Sequence, residues 1–168
     1  MDVFYPELRS ISSFHLKVLE KLRNRTFDGT VCFIAVMPPN NLNPRSPHES
    51  KERFIGTIEI SPSDFRNTTI ENVGHFNKLY VMDLAVRRDL RRMGVASRLL
   101  ESVEMYAREN QYREIYLHVE IENEAARRLY QKYGYVEVPE TAWALEFTQK
   151  RLHKPPECYV LLWKEIFV

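Results

Sequence analysis

Between residues 78 and 121 the hydrophobic pattern changes period twice, and this limits the fold more than any other feature of the chain. "KLYVMDLAV" (78–86) is apolar, β-branched and aromatic, the composition of a strand. Residues 95–110 then place Val95, Leu99, Val103, Met105 and Tyr106 among Glu and Arg, which predicts an amphipathic helix. "EIYLHVEI" (114–121) returns to alternation at period two. Strand, helix and strand in that order predict two parallel strands joined by a right-handed crossover, in a sheet with helices packed on it.

The flanking segments extend that sheet. Residues 30–37 ("TVCFIAVM") and 53–61 ("RFIGTIEIS") read as a hairpin joined by a long loop rich in Pro, Asn and Ser. Phe14, Val18, Leu19 and Leu22 recur at helical spacing, so the pattern predicts a helix over 12–24. A second helix is expected over 123–133, closed by Gly134. "YVEV" and "ECYVLLWKEIF" (157–167) supply the last strands. The fold class is α/β (α+β): a mixed central sheet of about six or seven strands, helices on both faces, and a central β-α-β unit. The 168 residues suit a single domain, 1–168.

A formal net charge of +1 gives no global field for nucleic acid or an acidic membrane, so any anion site is local. No apolar run approaches the ~20 residues of a membrane span. Cys32 and Cys158 each sit in an apolar strand-like run. They read as small buried hydrophobes in a reducing compartment, the cytoplasm or, as the alternative, an organelle.

The turn between the first strand and the helix is Arg91-Arg92-Met93-Gly94-Val95-Ala96-Ser97. Backbone N–H groups at a helix start are unpaired and carry partial positive charge. A glycine before them lets a ligand approach the backbone closely. This fits an anion cradle of the phosphate-binding kind. It is not a Walker A loop, which needs Gly-Lys-Ser/Thr, nor a dinucleotide fingerprint, which needs three glycines. On these residues alone, a surface turn with solvated arginines fits as well.

The longer stretch "LAVRRDLRRMGVASRLL" resembles motif A of the GNAT superfamily of acetyl-CoA-dependent N-acetyltransferases, with Arg91, Gly94 and Ala96 in its Arg-x-x-Gly-x-Gly/Ala signature. "YLHVEIENEAARRLYQKYGYVEV" resembles motif B of the same superfamily. The resemblance implies the GNAT fold and acetyl-CoA as cofactor, with no metal. It implies that the backbone of Arg92, Met93, Gly94, Val95, Ala96 and Ser97 holds the pyrophosphate, with the side chains of Arg91 and Arg92 assisting. Leu84, Ala85 and Val86 would hydrogen-bond the pantetheine arm. Asn123 would contact it, and Arg127 and Tyr130 would flank it.

Attack on a thioester needs a neutral amine and a group to take its proton. Alternation along 78–86 puts Tyr80, Met82 and Leu84 on one face, and along 114–121 it puts Tyr116, His118 and Glu120 on one face. If the two strands splay, Tyr80 and His118 converge, with Met82 beside the acceptor. Read without the family, Tyr80 and Tyr130 are core residues by default and His118 a satisfied structural group, Asp83 is a structural hydrogen-bonder, and Glu59 is a second candidate base.

The sequence looks closest to the branch acting on N-terminal amines, including ribosomal-protein alanine acetyltransferases. That resemblance implies a water-mediated relay through Tyr80 and His118, and Tyr130 as the acid for the CoA sulfur. The acceptor is then a protein N-terminal α-amine or a lysine. A small-molecule amine, or a non-catalytic CoA-binding module, is the alternative. The aromatic, proline-containing loop with which that branch grips peptide is not found here. The reading accommodates a monomer or a homodimer, with or without an auxiliary subunit.

Overall fold

The computed structural model describes residues 17–22, 30–37, 53–62, 78–140 and 152–167. In chain order the elements are β1 (Lys17–Leu22), β2 (Val31–Met37), β3 (Arg53–Pro62), β4 (Lys78–Val86), α1 (Val95–Glu109), β5 (Glu114–Glu120), α2 (Glu124–Lys132), β6 (Val136–Val138) and β7 (Tyr159–Glu165). The strands form one sheet in the order β1-β2-β3-β4-β5-β7-β6. The described residues fall into two compact units. One holds β1 to β3, β4 from Met82 onward and most of α1; the other holds the start of β4, the last turn of α1, β5, α2, β6 and β7.

In the first unit β2 pairs antiparallel with both β1 and β3. A strand with neighbours on both sides suits the continuous apolar run of β2, and Val31, Cys32, Phe33, Ala35 and Val36 are all buried. The Phe33 ring meets Tyr106 of α1 edge to face at 5.8 Å. The helix expected over 12–24 is overturned: Lys17–Leu22 is a strand, with Lys17 opposite Val36 and Leu22 opposite Val31. Four apolar residues at helical spacing are a weak preference, and the backbone ladder offered by β2 outweighs it. Gly56 marks a close approach: a Cβ there would lie 2.9 Å from the Ala85 carbonyl oxygen and 3.1 Å from Val95.

In the second unit β4 and β5 are parallel, as the crossover requires, paired over Lys78–Tyr80 and Glu114–Tyr116. β5 pairs along its whole length with β7, which pairs antiparallel with β6. One line of register therefore runs from His118 to Leu161 to Val138. Helix α2 carries its own start and stop signals. Asn123 Oδ1 accepts the Ala126 N–H at its start. Gly134, at φ +80°, ends it. There the Tyr135 N–H donates to the Tyr130 carbonyl, and the Gly134 N–H to that of Gln131. These two bonds are a Schellman motif, whose usual apolar contact is supplied by the Tyr130 and Tyr135 rings at 5.7 Å.

Among the described residues no helix is long and apolar enough to cross a membrane. The loop expected over 38–50, most of the polar stretch 62–77 and the segment around Trp143 lie outside the described residues.

Candidate functional site

The stretch expected to form the cradle is a turn followed by a helix start. After a single 3-10 turn at Arg88–Leu90, two of three residues take left-handed backbone: Arg92 at φ +67° and Gly94 at φ +83°. Such curls of backbone turn successive N–H groups toward one point. The Arg98 N–H donates to the Gly94 carbonyl at 3.1 Å, the first bond of α1. The N–H groups of Val95, Ala96 and Ser97 precede that bond and have no partner inside the helix. The first turn carries no acidic residue to neutralise them. A Cβ built on Gly94 would meet nothing within 4 Å among the described residues, so the space beside Gly94 is open.

The arginines behave differently from the backbone. Arg87 grips Asp89 with two bonds, at 3.1 and 2.7 Å, and holds that carboxyl below the usual carboxylate range. Arg91 Nε donates to the Val86 carbonyl at 3.3 Å, which ties the turn to the end of β4. Arg92 and Met93 are exposed.

Strand β4 departs from regular alternation. Leu79, Tyr80 and Val81 are all buried. Asp83 then takes φ +48°, a conformation rare outside glycine but more accessible to Asp than to most residues. The face shared by Tyr80 and Met82 is thus not carried to Leu84 by a regular pleat, as the alternation predicted. The inversion re-aims the backbone of Leu84, Ala85 and Val86, which are half-buried, exposed and half-buried.

Tyr80 and His118 do converge. The parallel ladder of β4 and β5 ends at Tyr80 and Tyr116, two residues before His118. Tyr80 Oη lies 2.6 Å from His118 Nδ1 and accepts the His118 backbone N–H at 3.1 Å. Both side chains are buried: Tyr80 is 4% exposed and the His118 side chain 2%. A third group, absent from the sequence reading, completes the array: Glu140 Oε2 lies 2.6 Å from His118 Nε2. Glu140 follows β6 by two residues and belongs to neither motif. The one signal for it is a carboxylate just past a strand in register with His118, and that register needs the fold.

The remaining expected residues are placed as follows. Tyr130 is buried on α2, and desolvation pushes its phenol up to about 12, so it keeps its proton at neutral pH. Asn123 spends its carbonyl oxygen on the helix cap, which leaves its amide N–H donors for other contacts. Arg127 donates to the Ile121 carbonyl at 3.4 Å and lies 3.5 Å from Glu137, bracing the two ends of α2. Met82 and Glu59 are half-buried, Glu59 opposite Cys32 on β2. Cys32 and Cys158 form no disulfide with each other, Cys32 being buried and Cys158 half-buried.

Comparison with known proteins finds a family and several relatives. The family model described as "Acetyltransferase (GNAT) family" matches residues 42–135. "GCN5-related N-acetyltransferase 7, chloroplastic" of Arabidopsis thaliana is 30% identical over 65% of this chain and 40% of its own length. "N-alpha-acetyltransferase 50" of Danio rerio is 38% identical over 38% of each chain. "Probable N-acetyltransferase san" of Drosophila melanogaster is 31% identical over 92% of this chain and 78% of its own. The chain thus spans about two fifths of the plant and fish relatives and most of the fly one. Among solved structures, the NatC complex bound to Gag peptide and CoA shares the fold at a TM-score of 0.53 and 22% identity, over 81% of this chain and 71% of that one.

Proposed function

Because the chain belongs to the acetyltransferase (GNAT) family, we propose that it transfers the acetyl group of acetyl-CoA to a primary amine, a protein N-terminal α-amine. The observation that carries this reading is the Tyr80–His118 pair, a phenol 2.6 Å from an imidazole nitrogen, both buried. Such a pair can accept a proton without fixing a permanent charge in the core.

The residues present fit the cofactor. The open space at Gly94 and the unpaired N–H groups of Val95, Ala96 and Ser97 suit a pyrophosphate. The backbone of Leu84, Ala85 and Val86 suits the amide-bearing arm, and the family resemblance assigns Asn123, Arg127 and Tyr130 to the same cofactor. Acetyl-CoA supplies a thioester whose C–S bond breaks as the amine N–C bond forms. Tyr80 and His118 take the proton that the amine gives up. Tyr130 serves the leaving sulfur. Its phenol sits near 12, well above a thiol at ~8.5, so it stabilises a thiolate chiefly by donating a hydrogen bond.

The acceptor class follows from basicity. An α-amine titrates near ~7.8 and a lysine near ~10.4, so deprotonating the α-amine at neutral pH costs about 3.5 kcal/mol less. A relay of phenol and imidazole suits the easier substrate. The name of the fish relative, N-alpha-acetyltransferase 50, supports the same acceptor.

Mass spectrometry tests the reading. The chain is incubated with acetyl-CoA and matched peptides, one set with a free α-amine and one α-blocked with a single lysine, alongside small amines. Acetylation should favour the free α-amine. Acetylation confined to the lysine peptides or the small amines would overturn the assignment of acceptor.

A further inference from the structure

We propose that Glu140 is the positioning residue of the proton relay: its carboxylate holds His118 as the Nε2–H tautomer, so that Nδ1 faces Tyr80 as a proton acceptor. The inference rests on the reading that Tyr80 and His118 take the amine's proton. It goes beyond that reading by assigning a third residue, from outside both motifs, and a direction of proton flow.

For a neutral imidazole, two ring contacts fix one hydrogen assignment and a third is compatible with it. Glu140 Oε2 is 2.6 Å from Nε2, and a carboxylate can only accept there. Neutral imidazole has a single N–H, so Nε2 carries it and Nδ1 presents a lone pair. Tyr80 Oη, 2.6 Å from Nδ1, must then donate its hydroxyl proton to it. The third contact agrees, because Tyr80 Oη already accepts the His118 backbone N–H at 3.1 Å. The opposite tautomer would set the Nε2 lone pair against a carboxylate oxygen at 2.6 Å, which is repulsive.

The fold brings the carboxylate to the ring from the side. His118, Leu161 and Val138 lie on one line of register, and the chain leaves β6 at Val138. Pro139 and Glu140 follow at once. The Glu140 side chain is 38% exposed and the His118 side chain 2%, so a partly hydrated carboxylate anchors a dry imidazole. The chemistry is that of a hydroxyl, an imidazole and an orienting acid, with tyrosine in the hydroxyl position. A proton reaching Tyr80 Oη from the amine, directly or through one water, releases the hydroxyl's own proton to Nδ1. The imidazolium so formed keeps its Nε2–H against Glu140. One proton enters, one moves on, and no further reactant is needed.

Imidazole 15N NMR of the full-length chain, without substrate, reads the tautomer directly; His118→Ala assigns the signals. Neutral His118 should show a protonated Nε2 and a bare Nδ1, and Glu140→Ala should mix the two tautomers. A protonated Nδ1 in the native chain, or no change in Glu140→Ala, overturns the proposal. Kinetics with an α-amine peptide give the second reading. Glu140→Gln should lower kcat at least about tenfold, as loss of an orienting partner does, with the KM for acetyl-CoA unchanged. Glu140→Asp should recover part of the loss. The double variant Glu140→Gln/His118→Ala should be no slower than His118→Ala, because residues acting as one unit are non-additive. Full turnover in Glu140→Gln also overturns the proposal. A native chain that acetylates no amine would instead sink the functional reading, and the tautomer would still decide the place of Glu140.

Discussion

The cradle and the relay are built in opposite ways. The cradle is backbone: two left-handed residues, a helix start and an open space beside Gly94. Its surrounding side chains are exposed or turned to bracing, as Arg91 is on Val86. The relay is side chain: a phenol, an imidazole and a carboxylate from three separate elements, aligned by strand register. Backbone donors survive most substitutions, because every residue but proline supplies an N–H. A relay survives few, because each group has a protonation state as well as a position. On the proposed assignment, the chain would hold its anion with the part least sensitive to sequence and move its proton with the part most sensitive to it.

The largest expected effect tests the side-chain half. Tyr80→Phe and His118→Ala should each lower turnover about a hundredfold, the scale of a lost acid–base group. Affinity for acetyl-CoA should stay within about twofold, since neither residue belongs to the cradle. The defect should ease as pH rises toward ~9, where more of an α-amine arrives neutral. Single-turnover rates and calorimetric titration separate the two quantities, and a matching loss of affinity would break the division. Next comes the backbone half. Gly94→Val forces a β-branched residue to φ +83° and fills the open space. Affinity should fall at least tenfold, about 1.4 kcal/mol. Arg92→Ala should cost less, and Arg88→Ala least. If the arginine variants lose more than Gly94→Val, side chains hold the anion and the contrast disappears.

The smallest effect concerns Tyr130, whose phenol burial raises to about 12 from 10.0. Below pH 10 folded and unfolded chains both keep this proton, and the contribution to stability is whole. Between about 10 and 12 the unfolded chain releases it and the folded chain does not. Stability then falls by up to about 1.4 kcal/mol per pH unit, until the contribution is spent above 12. Urea unfolding at pH 9, 10 and 11 should show this slope, and Tyr130→Phe should flatten it. The slope left over belongs in part to Tyr116, also raised to about 12, by burial first and then by the Glu114 charge. Identical slopes in the two proteins would mean that the Tyr130 hydroxyl is hydrated.

The same contrast explains what could be read before the fold was known. A glycine between arginines and an amphipathic run states a turn and a helix start in consecutive letters, so the backbone of Arg91 to Ser97 was legible. Strands β2 to β5 and both helices were legible for the same reason, since period, caps and breakers are local. Lys17–Leu22 was misread as helix because its strand state depends on β2, not on its own pattern. The inversion at Asp83 was hidden because aspartate, unlike glycine, does not advertise a positive φ. Tyr80 and His118 could be suspected from alternation and from the family resemblance. Glu140 could not, because its place depends on two strand pairings and a proline that follows them.

The distances along the chain carry one more consequence, for the order in which the protein assembles. The first bond of the cradle helix closes over four residues, from Arg98 to Gly94. The relay closes over 38 residues from Tyr80 to His118, and 22 more to Glu140. Loop-closure entropy grows with that span, and contacts between distant segments come late in folding. On the proposed assignment, a nascent or partly unfolded chain would form the turn that holds the anion before the path that carries the proton.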